Sequence, residues 1–146
     1  MTAMKQRTFL ILVAEDKPKE IELLQTAVER AGLEHPVRFV GSPEEIMAYL
    51  SGEKEFSNRS RFPLPGVIIL DPELRQNSGV GVLEWLKKRP ELRAIPVIML
   101  ASQLADIQRA YELGAASYLL RPVDGDELVP VLAAIAQYWA LNEPLR

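Results

Sequence analysis

The 146-residue chain has no cysteine, which excludes a disulfide scaffold and a thiolate zinc site and fits a reducing cytoplasm. It has a single histidine, His35, which sits just before an apolar run and reads as an exposed loop residue. That run's start lies on the edge opposite the acids described below, so a hydrolase triad has no base where one is needed. There is no basic excess: 17 Lys and Arg against 20 Asp and Glu leave a net charge of -3, and neither DNA nor an anionic membrane is invited. No apolar run approaches the ~20 residues of a membrane span. Lys5 and Arg7 precede "FLILVA", which is too short for a signal-peptide core and is followed at once by "EDKPKE". No glycine-rich phosphate loop follows the first apolar run; the pair in "GVG", Gly79 and Gly81, lacks a third glycine and follows no strand directly.

What is present alternates. Short apolar runs occur at Thr8 to Ala14, Val37 to Val40, Val67 to Leu70, Val97 to Leu100 and Ser117 to Leu120. Their hydrophobicity is continuous rather than alternating, as in strands covered on both faces. Helical segments fill the gaps. Lys17 to Ala31 puts Ile21, Leu24 and Val28 on one stripe before Gly32, and Ser42-Pro43-Glu44-Glu45 is a capping box. Gly79 to Arg89 carries Val82, Leu83 and Leu86, and Gln103 to Leu113 carries Leu104, Ile107 and Tyr111 before Gly114. Asp124 and Glu127 form another capping box, but Pro130 would then fall inside the helix, which favours a start nearer Asp126. Gly52 to Gly66 reads as a solvated loop at the amino edge of the strands. Five strands and five helices in alternation predict one α/β domain, a doubly wound parallel sheet with helices on both faces.

In such a sheet ligands collect beyond the carboxyl ends of the strands. The residues there are Glu15 and Asp16, then Asp71 and Glu73, then Ala101 and Ser102, then Arg121. Taken singly, Asp16 reads as a helix cap and Asp71-Pro72 as a turn starter. Gathered on one rim, the acids make a pocket that either traps a proton or surrounds a cation. Hard oxygen ligands favour Mg2+, and Arg121 would await an anion bound on it. A dehalogenase-type phosphatase is disfavoured, since Glu73 stands where its second aspartate belongs.

"ILVAEDKPKEIELLQ", "VIILDPELRQNSGVGVLEWLK", "IPVIMLAS" and "GAASYLLRPVDGDEL" resemble the receiver domain of two-component response regulators over essentially the whole chain. The long loop before the third strand and the closing "YWALNEP" look most like the small stand-alone regulators that partner bacterial and cyanobacterial phytochromes. The resemblance implies a CheY-like, flavodoxin-like (βα)5 fold of three αβα layers, a single receiver over 1–146 with no output domain. It implies phosphoryl transfer to Asp71 from a sensor histidine kinase. Glu15, Asp16, Asp71 and the Glu73 backbone carbonyl would hold Mg2+.

Three positions depart from the pattern. Ala101 replaces the usual hydroxyl residue, leaving adjacent Ser102 as a substitute only if the loop re-aims it. Arg121 replaces the usual lysine, and Glu73 adds negative charge beside the acceptor. Tyr118 matches the aromatic switch residue. The expectation is a cytoplasmic, non-enzymatic phosphoprotein whose Asp71 is modified slowly or with weak coupling to shape. A phosphorylation-independent interaction module is the alternative, and a small Mg2+ enzyme comes third. On the last helix Ala134, Gln137, Tyr138 and Leu141 leave a face poor in charge, predicting a homodimer through the fourth and fifth helices.

Overall fold

The computed structural model of the protein describes residues 8–141. Lys5 and Arg7 and the last three residues of "YWALNEP" lie outside the described residues. Strands β1 (Ile11–Ala14), β2 (Val37–Val40), β3 (Val67–Leu70), β4 (Val97–Ala101) and β5 (Ser117–Leu120) form one parallel sheet in the order β2-β1-β3-β4-β5. Helices α1 (Pro18–Ala31), α2 (Pro43–Ser51), α3 (Gly79–Lys87), α4 (Ile107–Glu112) and α5 (Gly125–Ala140) alternate with them. This is the expected CheY-like architecture, the strand order reversing at β1 and β3.

The continuous apolar runs are explained by two cores. Leu12, Ala14, Ile68 and Leu70 face Val82, Leu83 and Leu86 of α3 on one side of the sheet. Ile11, Val13, Val67 and Ile69 face Leu24 of α1 and Leu128, Leu132 and Ile135 of α5 on the other. Because alternate side chains point to opposite faces, a strand covered twice must be apolar throughout.

Four local expectations are corrected. First, α5 begins at Gly125, not near Asp126, because the Asp124 carboxylate accepts from the Asp126 amide at 2.9 Å and caps it there. Pro130 lies inside the helix on its exposed side, where solvent can satisfy the carbonyl that its ring leaves unbonded. Second, α4 is shorter than Gln103 to Leu113: Asp106 at its N-cap is left-handed (φ 55°), and Leu104 lies outside the helix in solvent. Tyr111 is also exposed, so Ala110 is the buried residue of α4.

Third, the Gly52 to Gly66 loop is more than a solvated connection. It contains a 3-10 turn, Lys54–Ser57, and packs Phe56 and Phe62 against Tyr49 with ring centroids 5.1 and 6.1 Å from the tyrosine. Arg59 donates to the carbonyls of Tyr49 and Leu50, each at 2.8 Å, stapling the loop to the end of α2. Fourth, His35 is buried rather than exposed: its ring stacks on Phe9 at 4.1 Å, and Nδ1 accepts from the Phe9 amide at 3.2 Å.

Candidate functional site

The parallel register carries four strand ends to one rim. The Asp71 amide donates to the Ala14 carbonyl at 3.1 Å, which sets the end of β3 beside the end of β1. The Arg121 amide donates to the Ala101 carbonyl at 2.6 Å, which sets the end of β5 beside the end of β4. Beyond Asp71, Pro72 stops the strand, and an irregular turn at Leu74–Asn77 leads into α3. Gly79 is required where that turn closes. A Cβ there would collide with the Asp71 carbonyl oxygen and lie 2.5 Å from the Cα of Pro72. The first glycine of "GVG" therefore serves close packing behind the acidic pocket, whereas Gly81 faces open space.

Glu15, Asp16 and Asp71 each bring one carboxylate oxygen within 4.8 Å of the others. Asp16 is not the cap of α1; Lys17 occupies that position and its side chain makes no cap bond. Asp16 Oδ2 instead accepts from the Arg75 amide at 3.3 Å. Glu15 is fully buried, and its Oε2 and the Asp16 Oδ1 accept no hydrogen bond. Buried acceptors without donors are costly, and the need is met by a proton or a cation.

Burial, with the neighbouring Asp71 adding to it, pushes the Glu15 carboxyl up to about 8 against the opposing pull of Arg121. Asp71 moves the other way. Burial works against its charge, but the hydrogen bond with Glu15, the Glu73 amide at 2.9 Å and the Lys17 ammonium outweigh it and hold Asp71 below the ordinary aspartate value. Glu15 and Asp71 thus divide one proton and one charge between them, and Asp71 is the ionised member.

Arg121 does not stand open toward an anion. Its Nη1 donates to Glu15 Oε1 at 3.1 Å and to Glu20 Oε2 at 2.7 Å, and Nη2 donates to the Leu100 carbonyl at 3.2 Å. Burial disfavours its charge, yet Glu15 and Glu20 prevail and keep it protonated. Ser102 is re-aimed by the loop: its hydroxyl donates to Glu73 Oε1 at 3.1 Å, so the candidate substitute for the hydroxyl missing at Ala101 is held by another of the departures, Glu73. The Tyr118 hydroxyl donates to the Ala105 carbonyl at 2.6 Å in the loop before α4.

Two participants escaped the sequence reading. Lys17 Nζ lies 3.1 Å from Asp71, 3.6 Å from Glu73 and 3.9 Å from Asp16. Glu20, one turn into α1, is the second anchor of Arg121. The available signal was the "EDKPKE" run, in which Pro18 at the first helical position sets Lys17 at the head of α1.

A strand order that reverses at β1 and β3, with an acidic trio at that switch point, is the arrangement of a receiver-type signalling domain. Residues 11–133 match the response regulator receiver domain, and the chain belongs to that family. It is 28% identical over 132 residues to the response regulator Rcp1 of Synechocystis, covering 89% of this chain and 88% of Rcp1. The Mn2+-bound form of Rcp1 superposes with a TM-score of 0.79 at 27% identity, covering 94% of this chain and 99% of that one.

Two other solved structures agree more closely in shape. The phosphorylated cyanobacterial phytochrome response regulator RcpA has a TM-score of 0.84 at 29% identity, over 96% of this chain and 100% of that one. The response regulator RPA3017 of R. palustris, in red light signalling, has a TM-score of 0.85 at 26% identity, over 94% of this chain and 98% of that one. The protein is a receiver domain of two-component signalling, similar to regulators of phytochromes.

Proposed function

We propose that Asp71 accepts a phosphoryl group from a phosphohistidine of a sensor kinase, with Glu15, Asp16, Asp71 and the Glu73 backbone carbonyl holding Mg2+. The observation that carries this reading is the placement of Asp71: buried at the end of β3, with one oxygen within 4.8 Å of oxygens from Glu15 and Asp16. An ionised carboxylate oxygen attacks phosphorus, the P–N bond breaks and the imidazole leaves with its electron pair. All-oxygen donors fit a hard divalent cation, which when bound offsets the repulsion between the carboxylate and the phosphoryl oxygens. Arg121 serves as the nearest cation on the β5 side, and Ser102 as the hydroxyl on the β4 side. The kinase is of the phytochrome type, as the likeness to RcpA and RPA3017 supports.

Coupling from Asp71 to shape is weak. Ala101 offers no hydroxyl to a phosphoryl oxygen, Ser102 is engaged by Glu73, and Tyr118 is engaged by Ala105. The acid at Glu73 slows approach of a charged donor. Output is by contact rather than catalysis or DNA binding, through a homodimer in which α4 and α5 pair. Exposed Tyr138 and Leu141 support that surface. Among the described residues no helix is long and apolar enough to cross a membrane, in keeping with a cytoplasmic placement. A second reading, a phosphorylation-independent interaction module, is favoured by one observation: Lys17 and Arg121 already pair with Asp71 and Glu15.

Intact-mass analysis after incubation with acetyl phosphate and Mg2+ tests the first reading. The expected result is slow, partial addition of one phosphoryl group, abolished by Asp71→Asn, with little change in oligomeric state. No addition under any condition overturns it in favour of the second, and addition that survives Asp71→Asn overturns Asp71 as the acceptor.

A further inference from the structure

We propose that Lys17 is a resident counter-ion that stands in the cation position of the acidic pocket and must swing away before a divalent ion can bind. The inference rests on the reading that this pocket takes such an ion. The Lys17 ammonium is placed as a small cation would be: its nitrogen is within 3.1 to 3.9 Å of oxygens from Asp71, Glu73 and Asp16. A Mg2+ ion sits about 2.1 Å from its ligand oxygens and holds its own water shell. The two cannot share Asp71 Oδ2, and two like charges a few ångströms apart repel.

The backbone lets the side chain move without disturbing the helix. Lys17 caps α1 through its carbonyl, which accepts from the Ile21 amide at 2.9 Å, and its side chain takes no part in capping. That side chain is 44% exposed, whereas Asp71 is 3% exposed, so the ammonium has a path to water and the carboxylate does not. Glu73, at 22% exposure, remains at the rim as an alternative partner once Asp71 is taken. Arg121 does not have this freedom, being buried and bonded to three oxygens. A third cation, Arg75, reaches only Asp16, its Nε 3.9 Å from Oδ2. Of the two cations that meet Asp71 and Glu15, Lys17 is therefore the one that yields, and metal uptake is a displacement rather than the filling of a bare pocket.

Calorimetric titration of the full chain with MnCl2, and with MgCl2 in competition, tests this on wild type, Lys17→Met and Lys17→Arg. Methionine keeps the unbranched stem and removes the charge. Lys17→Met should bind about five- to tenfold more tightly than wild type, the scale of a half-buried charge pair. Lys17→Arg should stay within about twofold of wild type, because it restores the competing charge. In urea without metal, Lys17→Met should unfold earlier than wild type and should gain more from saturating Mg2+. Equal or weaker binding by Lys17→Met overturns the displacement idea while leaving the metal site standing. Tightening of the same size in Lys17→Arg also overturns it, assigning the effect to side-chain shape. No uptake by any of the proteins overturns the metal reading together with the inference.

Discussion

The two ends of one sheet are built on opposite principles. At the amino end the strands are closed by an aromatic cluster, Tyr49, Phe56 and Phe62, by the Phe9–His35 stack, and by Arg59 donating to backbone carbonyls. Most of its polar groups find partners there, the Tyr49 hydroxyl donating to the Pro63 carbonyl at 2.8 Å. The one buried exception among the described residues is Nε of Arg38, whose guanidinium lies over the Phe62 ring. At the carboxyl end the same strands deliver buried charges, two buried carboxylate oxygens without donors, and left-handed residues at Arg75, Gln76 and Asn77. Each of those features costs stability. One end of the sheet supplies the surplus that lets the other end hold charges in an unfavourable arrangement.

The contrast is broken most directly at the amino end. Tyr49→Ala empties a fully buried aromatic site and should cost about 4 kcal/mol in urea unfolding, with divalent-ion affinity unchanged. Loss of metal binding there would show that the two ends are not independent. Next in size is Arg121→Met, which takes the donor from the buried Glu15 Oε1 and from the Leu100 carbonyl; a loss of about 3 kcal/mol is expected from the same measurement.

The third prediction turns on Glu15, whose carboxyl is raised to about 8 in the fold from 4.5. Between those values the folded chain binds more protons than the unfolded one. Metal-free stability therefore falls as pH rises from about 5 to 8, by roughly 2 kcal/mol or more. Glu15→Gln should flatten that slope in thermal melts taken across the range. A wild-type slope of opposite sign would mean that Glu15 is ionised throughout. Below pH 4 the sign reverses, because the lowered Asp71 contributes stability that is lost as it protonates. The smallest effect belongs to the surface. Arg30→Ala removes an exposed ion pair with Asp126 between α1 and α5 and should change stability by about 0.5 kcal/mol or less.

The same contrast explains what could be read from the residues in order. The sheet was legible because strands buried on both faces must be continuously apolar, and the acids at Glu15, Asp16 and Asp71 because they interrupt such runs. Tyr118 and Arg121 were visible as types but not as partners: only three-dimensional placement shows Arg121 bonded to Glu20 across the α1 end. Lys17 was read as part of a helix because its backbone does begin one, while only three-dimensional placement shows its side chain reaching Asp71. The aromatic loop was misread as solvent-facing because Phe56 and Phe62 are separated by polar residues, and their meeting over Tyr49 depends on Arg59 folding the loop back.

The residue with the least chemistry in this region sets a stringent limit on it. Gly79 carries no group that could touch an ion, yet it abuts the main chain of Asp71 and Pro72, and its amide donates to the Pro72 carbonyl at 3.2 Å. A methyl group there would pry α3 off the loop and tilt the acceptor through its own backbone. A survey of every single substitution should thus find this hydrogen-only position as intolerant as the aspartate eight places before it, although no assay of charge, ligand or partner would single it out.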